Sequence, residues 1–126
     1  MREIRNICKE VFRAVSKNFI YTTDVENYGL REHWDSHEDA VRSGQVWRGD
    51  CDDFAATAMA LLAEHDIPSM LIYCKTENGG GHLVCGVEDG RNIWVIDNRQ
   101  RGVWDWTEIR YEWVSALRDG VWRKIT

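Results

Sequence analysis

The stretch Gly49-Asp50-Cys51-Asp52-Asp53-Phe54-Ala55-Ala56 sets one cysteine between a glycine turn and a helix-like run. From Asp52 to Glu64 there is no Gly or Pro, and Phe54, Ala58, Leu61, Leu62 and His65 recur at helical spacing. Cys51 therefore sits at a predicted helix start, where unpaired backbone N–H groups favour a thiolate. Asp50, Asp52 and Asp53 suit the positive end of that helix. They also push the thiol the other way, because a nearby anion raises its pKa. A cysteine so placed needs a cation, or a bound metal ion, beside it. The chemistry in view is attack by sulfur on a carbonyl, which requires a base and a group to orient that base.

A hairpin supplies both. His82–Glu88 and Asn92–Asp97 read as strands, separated by Glu88-Asp89-Gly90-Arg91. Asp-Gly is a favoured type I′ turn. With Asp89 and Gly90 as the loop, Val84 falls opposite Val95, and His82 opposite Asp97. Directly opposed Cβ atoms lie about 4.5–5.5 Å apart. The turn alone thus predicts a His–Asp pair, which orients an imidazole and stabilises its cation.

The elements that must carry these groups are legible to different degrees. Arg2–Phe19 is an amphipathic helix whose stripe is Ile4, Ile7, Cys8, Val11, Phe12, Val15 and Phe19. Cys8 on that stripe reads as a small buried hydrophobe. Ile20–Asp35 shows no period and reads as a loop over the core. Ser36-His37-Glu38-Asp39 resembles a capping box and Gly44 a stop, giving a short helix over His37–Ser43. Met70–Cys74 is a strand with little alternation, hence central. Gly79, Gly80 and Gly81 before His82 fit either close substrate approach or a plain hairpin loop. Leu83, Cys85 and Val87 share one strand face and His82, Val84 and Gly86 the other, so Cys85 points away from His82. Trp104, Trp106 and Tyr111 begin a further strand or a wall beside the site. Glu112–Asp119 reads as a helical turn ending at Gly120, and Val121–Ile125 as a closing strand. Helices first and an antiparallel sheet after them make the class α+β.

The whole chain narrows the function. Its 126 residues fit one domain, residues 1–126, with room for a core. A net charge of −5 argues against nucleic acid as partner. No apolar run approaches the roughly 20 residues that span a bilayer, so no membrane is expected. The start Met-Arg-Glu-Ile-Arg lacks the apolar core of a signal peptide. A cytoplasmic location and free thiols at Cys8, Cys51, Cys74 and Cys85 follow as expectations. His82 and Cys85 stand three apart on a strand and cannot share a zinc ion. Among seven tryptophans, Trp47 and Trp104 are candidates for lining a substrate groove, with Gly80 and Gly81.

At this point the chain resembles the bacterial transglutaminase-like cysteine peptidases, within the papain-like and transglutaminase-like group. The resemblance rests on the Gly49–Ala55 motif, Val15-x-x-Asn18, Tyr21-x-x-Asp24, Tyr28-Gly29, Trp34, Gly81-His82-x-Val84 and Val95-Ile96-Asp97-Asn98. It implies a catalytic Cys51, His82 and Asp97, and a central helix packed on an antiparallel sheet. It implies a protein or peptide substrate and no required cofactor. Calcium dependence in some relatives makes Asp50, Asp52 and Asp53 a candidate calcium site. Periplasmic members carry an export signal and are larger, so the chain reads as a minimal, phage- or mobile-element-encoded core.

The implied reaction is acyl transfer through a thioester, with the Cys51 N–H as one oxyanion donor. Gln45, at a spacing similar to that in papain-like enzymes, or the Trp47 indole is the second donor, with Gln45 slightly preferred. Water as acceptor gives hydrolysis; an amine gives transglutamination, and deamidation shares the same acyl-enzyme. A non-catalytic peptide-binding module and a papain-like cell-wall endopeptidase are the competing readings. The closing Asp97-Asn98 fits the transglutaminase-like order better than the latter.

Overall fold

The structure, a computed structural model, describes residues 3–22 and 36–125. Tyr28 and Trp34 lie outside the described residues. Helix α1 (Ile4–Ser16) buries Cys8, Val11 and Val15, the centre of the expected stripe. Ile4, Ile7 and Phe12 flank them. The helix stops three residues short of Phe19, which opens strand β1 (Phe19–Tyr21). Helix α2 (Glu38–Ser43) ends at Gly44 with φ 73, as expected of a left-handed stop. Its N-cap is His37, which makes no side-chain cap bond, so the capping box read at Ser36 is not the one used.

Strand β2 (Trp47–Gly49) pairs in parallel with β1, Phe19 against Trp47. Sequence reading missed both strands, because three residues are too few to show a period. Helix α3 (Cys51–Glu64) follows directly. The remaining strands are β3 (Met70–Lys75), β4 (Gly81–Asp89), β5 (Asn92–Ile96), β6 (Trp104–Asp105), β7 (Glu112–Arg118) and β8 (Val121–Lys124). They form one antiparallel sheet in the order β6-β5-β4-β3-β7-β8, with β3 interior as expected. A single 3₁₀ turn, Trp106–Glu108, follows β6.

One sheet face carries Leu71, Leu83, Cys85, Val87, Trp94 and Ile96. Against it pack α1 and Phe54, Ala55, Ala58, Leu61 and Leu62 of α3. The other face carries Met70, Ile72, Cys74, Val84 and Val95, partly covered by Trp106, Ile109, Tyr111 and Trp113. Among the described residues, no helix is long and apolar enough to cross a membrane. All four cysteines are free.

Two strand readings are corrected. Glu112–Arg118 is a strand, not a helical turn: the open edge of β3 offers a ladder of backbone partners, and Leu71 to Lys75 pair with it. A hairpin joins β7 to β8 through Asp119 (φ 49) and Gly120 (φ 77), the doubly positive geometry of a type I′ turn. The same dipeptide at Asp89-Gly90 is used differently. Asp89 pairs with Asn92 and Gly86 with Val95, so the loop is Gly90-Arg91. Gly90, at φ 63, takes the first loop position, where a type II′ turn wants its glycine. Asp89 stays in the strand and accepts from the Trp94 indole N–H at 2.9 Å.

Candidate active site

Asp50 caps α3. Its Oδ1 accepts from the amides of Asp52 (3.0 Å) and Asp53 (3.2 Å), and Asp53 Oδ2 accepts from the Asp50 amide (3.1 Å). This reciprocal box fixes the first turn, and with it the direction of the Cys51 side chain. Gly49 is required beside it, since a Cβ there would lie 2.6 Å from Asp53 Cβ. Cys51 Sγ is half-buried and donates to Asp52 Oδ1 at 3.3 Å. Burial, then the Asp52 charge, push the thiol pKa well above its ordinary value. The nearby amide of Leu83 works against them. The start of β4 thus lies beside the start of α3.

His82 is the residue before Leu83 and is 6% exposed. Its Nε2 meets Asp97 Oδ1 at 2.6 Å, and Asp97 is 1% exposed. The expected His–Asp contact is present, but not through direct opposition. In the observed register Cys85 faces Ile96, so the next rung sets Asp97 level with Val84. His82 and Asp97 are diagonal neighbours. A two-residue slip keeps every side chain on its face, and an imidazole spans a diagonal step. Burial alone would raise the Asp97 pKa. The bonds from His82, the Arg99 amide (3.0 Å) and Tyr111 Oη (2.7 Å) outweigh it and hold the carboxyl below its ordinary value. An ionised carboxylate only accepts, so the proton of that contact sits on His82 Nε2.

The other expected site residues are placed as follows. Trp47 is 4% exposed and stacks on His37 at 4.8 Å, with Phe19 at 4.7 Å. Its indole N–H is buried without a partner. It is a core residue, which corrects its reading as a groove wall and as an oxyanion donor. Gln45 is exposed and lines a recess of about 300 Å³ with Lys17, Asn18 and Arg42. The walls of that recess hold none of Cys51, His82 and Asp97. Gly80 closes a tight loop by accepting from the Thr76 amide, and Gly81 opens β4 where a Cβ would meet Tyr73 Oη at 2.7 Å. Trp104, 42% exposed, pairs with Val95 two residues before Asp97.

The three candidate calcium residues are engaged in the first turn of α3. Asp50 and Asp53 face amides of the cap, and Asp52 faces the thiol. Among the described residues no three His, Cys, Asp or Glu side chains converge on a metal position. Sequence reading also missed the shell behind Asp97. Tyr111, read as strand or wall, hydrogen-bonds the carboxylate and packs edge-on to the His82 ring at 5.6 Å. No motif marks it. The contact exists only because β7 enters the sheet beside β3.

Comparison with known proteins identifies the family and the fold. Over residues 1–126 the chain matches the family model of the bacterial transglutaminase-like cysteine proteinases. Three solved structures of Legionella pneumophila LapG share the fold, at 16% identity. The EGTA-treated form superposes with a TM-score of 0.78, covering 99% of this chain and 69% of that one. The calcium-bound form gives 0.76, covering 98% and 70%. No curated protein matches the sequence. The fold is thus papain/transglutaminase-like, and the chain belongs to the bacterial transglutaminase-like cysteine proteinases, a family of thiol proteases.

Proposed function

We propose that residues 1–126 act as one domain that cuts peptide or amide bonds of a protein substrate through a thioester on Cys51. With Nε2 committed to Asp97, Nδ1 is the ring nitrogen left to serve the thiol. It takes the Cys51 proton as sulfur attacks the carbonyl carbon. The Cys51 N–H, at the start of α3, steadies the oxyanion. The C–N bond then breaks, and the imidazolium returns its proton to the departing amine. Water, deprotonated by His82, attacks the thioester, releasing the acid and restoring the thiol. Asp97 holds the ring and its cation throughout. Burial and the Asp52 charge favour the thiol over the thiolate, so His82 is needed as the base. No step runs through a metal.

What supports this reading is a buried His–Asp pair whose next residue, Leu83, brings its amide near the cysteine sulfur. The test is digestion of a complex peptide library read by mass spectrometry. Wild type creates new N-termini, and Cys51→Ala and His82→Ala create none while keeping the native circular dichroism. Cleavage that persists in either variant overturns the proposal. Incorporation of an added primary amine into the products would change the acceptor and leave the acyl-enzyme intact.

A further inference from the structure

We infer that Tyr111 is the positioning residue of the His82–Asp97 pair, and that Arg99 and Gln100 fix the direction in which it works. This rests on the proposed roles of Cys51, His82 and Asp97. Tyr111 Oη lies 2.7 Å from Asp97 Oδ2. It also receives Arg99 Nη1 at 3.1 Å and Gln100 Nε2 at 3.3 Å. A phenol has one proton and two lone pairs. Guanidinium and amide nitrogens only donate, so they fill both lone pairs. The single proton is left pointing at Asp97. Burial and the Asp97 charge keep Tyr111 protonated by raising its pKa.

The carboxylate is thereby shared along fixed lines. Oδ1 takes His82 Nε2 and the Arg99 amide, and Oδ2 takes Tyr111. Rotation of the carboxylate would break all three bonds. The Tyr111 ring, at 81° to the imidazole, blocks the ring from swinging toward the sheet face. Glu77 on the β3–β4 loop holds the far end of Arg99 at 2.6 Å. The relay therefore runs Glu77, Arg99, Tyr111, Asp97, His82, from an exposed loop to the imidazole.

The hydroxyl also limits how hard Asp97 draws on the His82 proton. Without it, Oδ2 loses its side-chain donor, and the charge is met mainly by the imidazole. The other groups around His82 are Asp52 and the thiols of Cys51 and Cys74, the last bonded to the His82 carbonyl at 3.5 Å. None of these replaces the lost donor.

The experiment is the pH profile of Cys51 alkylation by iodoacetamide, followed by mass spectrometry, on the full chain. Wild type, His82→Ala, Tyr111→Phe and Arg99→Met are compared. Tyr111→Phe keeps the ring and removes only the hydroxyl. The expected result is a rate about tenfold lower at neutral pH and an acid limb moved to higher pH. Arg99→Met, which leaves the hydroxyl in place but frees a lone pair, should shift the limb the same way by less. The imidazole Nε2 proton resonance, read by NMR, should move in both. If Tyr111→Phe fails to fold, Arg99→Met and the resonance carry the test. A wild-type acid limb that His82→Ala removes but neither variant moves overturns the inference alone. Wild-type labelling no faster than that of Cys8, Cys74 or Cys85 overturns the proposed function and the inference with it.

Discussion

The Cys51 sulfur lies 3.3 Å from Asp52 Oδ1, a neighbour that opposes loss of the thiol proton. Asp52→Asn removes that charge and offers an amide donor to the thiolate. Cys51 alkylation at neutral pH should rise about tenfold, one pKa unit's worth of thiolate. An unchanged rate would mean that burial, the larger cause, sets the thiol's protonation unaided. Asp97→Asn keeps an acceptor for His82 but loses the negative charge that supports the imidazolium. Peptide cleavage should fall by about a hundredfold, at the low end for losing general acid–base support. Thermal midpoints before and after would show whether the loss comes with unfolding.

The start of α3 is the element that aims the thiol, and its cap can be weakened by degrees. Asp50→Ala should cost about 1 kcal/mol in urea unfolding, the usual worth of an N-cap side chain. Gly49→Ala forces a Cβ onto Asp53, which is fully buried, and should cost about 1–3 kcal/mol. Both should slow Cys51 alkylation, because the first turn carries the sulfur. A contrast sits at the far hairpin. Gly120→Ala, at φ 77, should cost about 1 kcal/mol yet leave alkylation untouched. A fall in alkylation there would show that β7 transmits strain to Tyr111 and the pair behind it.

Across the molecule, the fold holds its thiols neutral. Burial pushes Cys8, Cys74 and Cys85 up to about 12, with Asp89 adding to the first and Asp97 to the second. The folded pKa lies above the unfolded value of 9.0, so the fold prefers the protonated form. This stability is fully present below pH 9 and is lost as pH climbs toward 12, by up to about 1.4 kcal/mol per pH unit per thiol. Asp97 acts at the other end. Its folded pKa is depressed below 3.8, so its contribution is present above that value and is lost as pH falls through the folded one. Urea midpoints across the pH range should trace a plateau with both edges falling. Cys85→Ala should soften the alkaline edge, and an unchanged edge would move its cause to other groups.

The sequence by itself determined the elements whose signals are local: the α1 stripe, the Gly44 stop, the start of α3 and the strands β3 to β5. It also determined which strand faces carry His82, Cys85 and Asp97, because alternation survives a two-residue slip. What it did not determine was the register, since one Asp-Gly pair turns at Asp119-Gly120 and the other does not. Nor did it reveal β7, whose strand form comes from pairing with β3, or the burial of Trp47 among Phe19, His37 and Phe54. The Leu83 amide at the Cys51 sulfur and the Tyr111 hydroxyl at Asp97 belong to the same class. Each joins residues far apart in the chain, and local propensity carries no term for a partner that only packing brings near.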